Sequence, residues 1–355
     1  MINIVKKPDQ KEVTTILGKD VHKIIEKYSD VKKYRLYREE WRRASTLQYI
    51  PKYPLQIDFE LNYSCNFSCE MCTWSAENTL GRGKKTWFSF EAYQEIIDEG
   101  IKNGLKAIRL NYINEPLIRK DIIKFIEYAK KVGILDIYLS TNGSLLTEKI
   151  IRELIKSGLT RLQVSIDATT KETFDKIRQG GNFDAVIKNT LNFIKIRNDL
   201  NVELPTLRVN FVKTDLNQHE YSDFIKIWSD KADCIGIQDL VNIMKPSKEQ
   251  ITKKKFTCAQ PFYHLTVRYD GSVLPCCTFF AAKIPIAKLS TDQKISGEKN
   301  LHEIDTSKLP TQKIKEVWNG SLINSLRDMH LKGEWFKNEV CKECVMSTSN
   351  IDDAV

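Results

Sequence analysis

The chain has 355 residues, 41% hydrophobic and 28% charged, the balance of a folded globular protein rather than a disordered one. Its formal net charge is +9, of which residues 1–54, with 13 basic and 7 acidic side chains, carry +6. No stretch approaches the roughly 18 apolar residues that cross a bilayer, and MINIVKKPDQKEVTT has no apolar signal core. A cytoplasmic protein with no membrane partner is therefore expected, in which the nine cysteines stay reduced and favour metal ligation over disulfides.

Residues 1–54 read as a helical lead-in. Val21–Tyr28 and Tyr34–Ala44 carry helix-compatible patterns rich in Lys, Arg and Glu, and Pro51 and Pro54 end the segment. Its basic balance suits a solvated helical face or an acidic partner. No nucleic-acid-binding signature accompanies it, which argues against nucleic acid.

From residue 55 an alternation begins. The runs rich in β-formers are Gln56–Leu61, Leu105–Asn111, Ile134–Thr141, Arg161–Ala168, Thr206–Val212 and Cys234–Val241. Between them lie the helical patterns Phe90–Asn103, Asp121–Lys131, Thr147–Lys156, Phe183–Arg197 and Gln218–Asp230. Ser89 is placed to N-cap the first helix; Gly104, Gly133 and Gly158 follow the ends of the first three. Six strands alternating with helices predict an α/β fold with a parallel sheet, a partial (β/α)6 TIM-like barrel over residues 55–245. The alternation breaks near Pro246, and Lys253, Lys254 and Lys255 form a linker-like run. Residues 246–355 read as a smaller second domain with a hairpin, His264–Tyr269 and Ser272–Leu274 around Asp270-Gly271, and two short helices, Ile314–Trp318 and Leu322–Leu331.

Cys65, Cys69 and Cys72 follow the first strand directly, in YSCNFSCEMC. Ligands gather at the C-terminal ends of strands in parallel α/β sheets. Three thiolates on one short loop can hold three irons of a four-iron cluster, leaving the fourth iron open. The loop has no histidine to complete a tetrahedral zinc site.

This C-x3-C-x2-C after strand one of a partial α/β barrel resembles the radical S-adenosylmethionine (SAM) superfamily. The resemblance implies that the open iron of a [4Fe–4S] cluster binds SAM. Reductive cleavage of SAM then yields a 5′-deoxyadenosyl radical that takes a hydrogen atom from substrate. A reducing electron donor such as flavodoxin or ferredoxin is implied with it. The family's Gly-Gly-Glu-Pro after strand two is Ile113-Asn114-Glu115-Pro116 here, so Glu115 and Pro116 match and neither glycine does. Thr141-Asn142-Gly143 resembles the turn near SAM after strand three, and Ser165 and Asp167 the polar end of strand four. Arg178 matches an arginine that pairs with a carboxylate, and Asn210 on strand five is a further match. The resemblance thus makes Asn114, Glu115, Thr141, Asn142, Ser165, Asp167, Arg178 and Asn210 the expected SAM-binding residues. Read without it, Asn142-Gly143 is equally a turn and Asp167 a helix cap.

Cys258 and Cys276 bracket the hairpin, and Cys341 and Cys344 form a C-x2-C near the C-terminus. Two thiolate pairs suit one fully ligated site, either an iron–sulfur cluster or a structural zinc. The C-x12-G-x4-C spacing resembles the auxiliary-cluster domains called SPASM and its shortened form, twitch, which implies one auxiliary [4Fe–4S] cluster. Cys277 follows a ligand, at the boundary that faces the barrel mouth in related proteins. It reads as a packed bystander or as a hydrogen donor to a substrate radical. Cys234 begins the sixth strand and is expected in the core.

The four auxiliary cysteines resemble those of single-auxiliary-cluster enzymes acting on sugars and aminocyclitols. Oxidation or epimerisation at a carbinol carbon of a small polar substrate is the function this implies. Oxidation would send an electron to the auxiliary cluster; epimerisation would use a thiol such as Cys277. Two other functions stay open: a radical SAM maturase that modifies peptides, and a non-catalytic iron–sulfur protein for electron transfer or redox sensing.

Overall fold

The lead-in holds a strand as well as helices. In the computed structural model, which describes residues 14–69, 71–72, 87–240, 257–291 and 309–346, the chain opens with β1 (Thr14–Gly18). α1 (Val21–Lys27) and α2 (Val31–Ser45) follow, N-capped by Asp20 and Asp30. Tyr34 and Tyr37 of α2 are fully buried. The Tyr37 hydroxyl donates to Asp136 Oδ2 at 3.3 Å, and Trp41 packs on the Tyr263 ring with centroids 4.4 Å apart. Several of the segment's cations are spent on surface ion pairs, such as Lys27 with Glu203 and Arg35 with Glu26.

The expected alternation is present. In chain order come β2 (Gln56–Phe59), α3 (Phe90–Asn103), β3 (Ala107–Arg109), α4 (Ile122–Val132), β4 (Asp136–Thr141) and α5 (Glu148–Lys156). Next are β5 (Arg161–Ser165), α6 (Lys171–Ile177), α7 (Phe183–Asp199), β6 (Thr206–Lys213), α8 (Tyr221–Trp228) and β7 (Cys234–Asp239). The Ser89 hydroxyl accepts from the Ala92 amide at 2.9 Å to start α3, and Gly104 ends it in the left-handed conformation at φ 113°. The short α6 was missing from the sequence reading. β2 to β7 form a parallel sheet in which each strand lies beside its successor. Ile57, Ile108, Leu139, Val164 and Val209 pack with Tyr93, Phe125, Leu154, Val186 and Phe193 of the helices. Each such side chain contributes about 1.5–3 kcal/mol by leaving water.

The opposite face of the same strands is polar. It presents Asp58, Arg109, Ser140, Gln163, Arg208 and Gln238, at positions that alternate with the apolar ones. Parallel sheets covered by helices are usually apolar on both faces, so this is a polar lumen.

The second domain is joined to the first by the sheet itself. β8 (His264–Val267) pairs parallel with β2, Gln56 opposite His264, and turns back into β9 (Ser272–Leu274). β10 (Ala287–Leu289), β11 (Thr311–Gln312), α9 (Ile314–Asn319), α10 (Ser321–Leu331) and α11 (Glu339–Met346) complete it. At the far edge β1 lies antiparallel on β7, so one 11-stranded open sheet runs β1-β7-β6-β5-β4-β3-β2-β8-β9-β10-β11. Both edges of the parallel core are thereby covered. The expected linker at Lys253–Lys255 and the boundary near residue 245 lie outside the described residues. Among the described residues, no helix is long and apolar enough to cross a membrane.

Candidate active site between two cysteine clusters

At the C-terminal end of β2 the chain turns through Cys65, Cys69 and Cys72. The Phe67 amide donates to Cys65 Sγ at 3.5 Å, and the Cys72 amide to the Cys69 carbonyl at 3.0 Å. Burial pushes the Cys65 thiol up to about 12, and the charges of Glu115, Cys69 and Cys72 push in the same direction, so the three thiols are neighbours. Arg178, at the end of α6, donates one nitrogen to Cys69 Sγ at 3.5 Å and another to Asp167. Asp167 has the left-handed φ of 63°, uncommon without glycine. Its side chain accepts from the Val212 amide at 2.8 Å, and its carbonyl from Asn217 Nδ2 at 2.8 Å.

Glu115 organises the neighbouring turns. Its carboxylate accepts from Thr141 Oγ1 at 2.7 Å, the Asn142 amide at 2.7 Å and the Leu117 amide at 3.0 Å. Burial raises its pKa to about 7 against these bonds. Asn114 Nδ2 donates to Asn62 Oδ1 at 2.8 Å, and Asn142 Nδ2 to Asn66 Oδ1 at 2.9 Å. Asn66 lies inside the cysteine loop, so these bonds tie the loop to the ends of β3 and β4. Ser165 and Asn210 face each other in the β5–β6 register, the latter donating to Gln238. The structure joins Asn114, Glu115, Thr141, Asn142, Asp167 and Arg178 to the loop or to the turns bonded to it, and sets Ser165 and Asn210 opposite each other on β5 and β6.

The second group of cysteines lies at the other end. Cys258, Cys276, Cys341 and Cys344 are mutual neighbours. Burial, then the charge of Cys276 and of the other two, pushes Cys258 well up. Cys276, Cys341 and Cys344 rise to about 12 for the same reasons. The C-x2-C pair sits on α11, which the sequence did not show as a helix; Lys283 holds that helix through Glu343 at 2.8 Å. Cys277 adjoins this group, and its charge raises Cys276 and Cys344 with the others. Its thiol meets Gln260 Oε1 at 3.7 Å, and it adjoins His264, the first residue of β8. Tyr112, which follows the C-terminal end of β3, donates its hydroxyl to the Thr278 carbonyl at 2.5 Å, so the residues after β9 also meet that strand end. Cys234 is buried, as expected.

The donor chemistry fits iron–sulfur clusters. Buried thiols resist ionising, and metal supplies the positive charge that thiolates need there. Among the described residues, no three of His, Cys, Asp or Glu converge as a single ion requires. A cubane asks for no such convergence, because each thiolate binds a different iron.

Between the two ends lies the lumen, whose charges the sequence reading missed. His264 Nε2 stands 3.2 Å from Asp58 Oδ1, and Arg268 Nε donates to Glu60 Oε2 at 2.9 Å, all four side chains buried. The signal was present in QIDFE, where acids recur every second residue of a strand that should be apolar. Burial opposes charge on His264, but Asp58 and Cys277 raise its pKa to about 10. A raised histidine stabilises the fold fully below its unfolded value of about 6.5 and loses that contribution as pH climbs through about 10. Asp58→Asn is therefore expected to cost about 3 kcal/mol near pH 6.5, with the gap to wild type closing toward pH 10 in urea unfolding.

Residues 59–207 match the model of the radical SAM superfamily, and residues 258–345 match that of an iron–sulfur cluster-binding domain, SPASM. A probable GTP 3′,8-cyclase of Methanocaldococcus jannaschii is 30% identical over 195 residues, covering 55% of this chain and 60% of that protein. The chain spans only about half to three fifths of the curated relatives it matches, 53% for one from Saccharolobus solfataricus. Among solved structures, BtrN in complex with AdoMet and 2-DOIA superposes with a TM-score of 0.52 at 19% identity, covering 85% of this chain and 95% of that one. Native anSMEcpe with bound AdoMet and Cp18Cys peptide gives 0.53 at 15% identity, covering 84% and 91%. At these identities the likeness is one of fold, an α/β architecture with an open barrel sheet.

Proposed function

Because the chain belongs to the radical SAM superfamily and ends in a SPASM iron–sulfur domain, we propose that it takes a hydrogen atom from a carbinol carbon of a small polar substrate held in the lumen, giving oxidation or epimerisation there. The family's cofactors are SAM and a [4Fe–4S] cluster, with auxiliary iron–sulfur chemistry in the SPASM domain. When bound, SAM and its cluster supply the 5′-deoxyadenosyl radical. In this reading Cys65, Cys69 and Cys72 hold the first cluster, and Cys258, Cys276, Cys341 and Cys344 a second. A reducing protein such as flavodoxin or ferredoxin serves as electron donor. The observation that carries the reading is the polar lumen bounded by a thiol cluster at each end.

The chain's own residues have separate tasks. Glu115, oriented by Thr141 and Asn142, receives the ammonium group of SAM. Asn114 braces the turn that carries it. Asp167 and Arg178 stand as an ion pair beside Cys69, placed for the ribose and carboxylate of SAM, with Ser165 and Asn210 on the lumen side. Cys277, deep beside His264, separates the two outcomes. If its thiol stays out of the reaction, the substrate radical would lose a proton to solvent and an electron to the second cluster, and the product is a ketone. If it returns a hydrogen atom to the opposite face, the product is an epimer.

Two measurements test this. Anaerobically reconstituted, dithionite-reduced protein is expected to form 5′-deoxyadenosine from SAM; failure to do so would remove the radical chemistry. Turnover in D₂O is then expected to place deuterium on the product carbon only if Cys277 donates. For Glu115, ionisation through about pH 7 predicts a KM for SAM that falls about tenfold between pH 6 and 8. Glu115→Gln should remove that dependence and raise KM about tenfold or more.

Peptide modification is the second reading. The fold is shared with a structure containing a peptide as well as with one containing 2-DOIA. Membership in an enzyme family disfavours a purely electron-transferring or redox-sensing protein.

A further inference from the structure

One cation on the strands of the lumen has no carboxylate beside it among the described residues. Five cationic side chains stand on these strands: Arg109, Arg161, Arg208, His264 and Arg268. Their carboxylate partners number three. Arg161 pairs with Asp136 at 2.8 Å and Arg268 with Glu60 at 2.9 Å, while His264 and Arg109 share Asp58 at 3.2 and 3.9 Å. Among the described residues, Arg208 has no carboxylate within ion-pair distance. Its Nε donates to Asn210 Oδ1 at 3.1 Å, and Asn210 is fixed in turn by Gln238.

The neighbouring strand leaves room for this arginine. A Cβ at Gly236 would fall 2.2 Å from Arg208 Nε, 2.2 Å from its Nη2 and 2.3 Å from Asn210 Oδ1, so the guanidinium and the Asn210 amide occupy the space a side chain there would take. The guanidinium is thus held at one end while its outer nitrogens have no acceptor among the described residues. Arg208 stands two residues before Asn210 on β6, one inward-facing step below the layer of Ser165 and Asn210. That places it on the substrate side of the residues assigned to SAM.

We propose that Arg208 anchors an anionic substituent, a phosphate or carboxylate, of the substrate. This rests on the reading of the lumen as the substrate site and narrows it. A cyclitol whose only charge is an ammonium group would leave Arg208 unmatched. A phosphorylated sugar, a uronate or a nucleotide would complete the balance. A planar guanidinium with two free donors binds such oxyanions through paired, charge-assisted hydrogen bonds.

The test uses the full-length, anaerobically reconstituted holoenzyme with SAM present. Equilibrium dialysis compares GTP with guanosine, and glucose 6-phosphate and glucuronate with glucose. At least one charged member is expected to bind tenfold or more tightly than its uncharged counterpart, and the arm in which it does so distinguishes phosphate from carboxylate. Arg208→Gln should erase that preference, and Arg208→Lys, which keeps the charge but loses the fork, should retain part of it. SAM affinity, iron content and the circular dichroism spectrum should stay at wild-type values in both. No preference in any arm, a preference that survives in Arg208→Gln, or an equal loss of SAM binding would each overturn the assignment. Formation of 5′-deoxyadenosine, scored on the same samples, reports separately whether the radical reading itself holds.

Discussion

Replacing Cys65, Cys69 and Cys72 together by alanine is expected to lower bound iron from about eight to about four per chain and to abolish 5′-deoxyadenosine formation. In the proposed reading the loss in activity is complete, because these thiols would hold the first cluster and no other cysteine stands beside them among the described residues. Any metal that remains would sit on Cys258, Cys276, Cys341 and Cys344, so the same variant reads out the second site in isolation. Acid-labile sulfide equal to the residual iron would mark it as a cluster. One zinc and no iron would make that end of the molecule structural, removing the electron acceptor that the ketone-forming outcome needs.

The second large effect concerns the fold. Arg268→Leu is expected to destabilise the protein by about 3–5 kcal/mol, because it leaves the Glu60 carboxylate buried without its partner. Glu60 is wholly enclosed, and Arg268 in turn lies over the rings of Tyr63, Tyr112 and Tyr269 at 5.3–5.9 Å. Burial already raises the pKa of Glu60 against the pull of Arg268; without the arginine it rises further. An acid whose folded pKa exceeds its unfolded value binds more protons when folded, so the variant's deficit should shrink as pH falls toward 4 and widen toward neutrality. Replacing both residues by leucine should recover much of the loss, since no lone charge remains. Urea unfolding at pH 5 and 7.5 checks both statements, and a deficit independent of pH would point to lost ring packing instead.

The helices and parallel strands were legible because their determinants are local. Ser89 and Gly104 mark the two ends of α3, and apolar residues repeat with the helical period between them. Cysteine spacing was legible for the same reason, since ligands on one loop are close whatever the rest of the chain does. What stayed hidden depends on pairing between distant segments. The pattern at Thr14–Gly18 does not say that it will lie on β7. His264–Val267 reads as one arm of a hairpin, and nothing local shows that its other side meets β2. Asp58, Glu60, His264 and Arg268 looked like scattered polar residues until two strands brought them together in facing pairs.

That distant pairing also sets an order of events during synthesis. Glu60 and Arg268 are 208 residues apart in the chain. At roughly 5–20 residues per second, a ribosome leaves the outer edge of β2 and its two acids unmatched for about 10–40 s. Closure of so long a segment depends on non-local contacts, the slow kind to form. The nascent barrel therefore waits, with a row of free amides and carbonyls and three exposed thiols, for its own C-terminal third to emerge. Cells that make this protein have a reason to shield that edge with a chaperone and to load iron only after release.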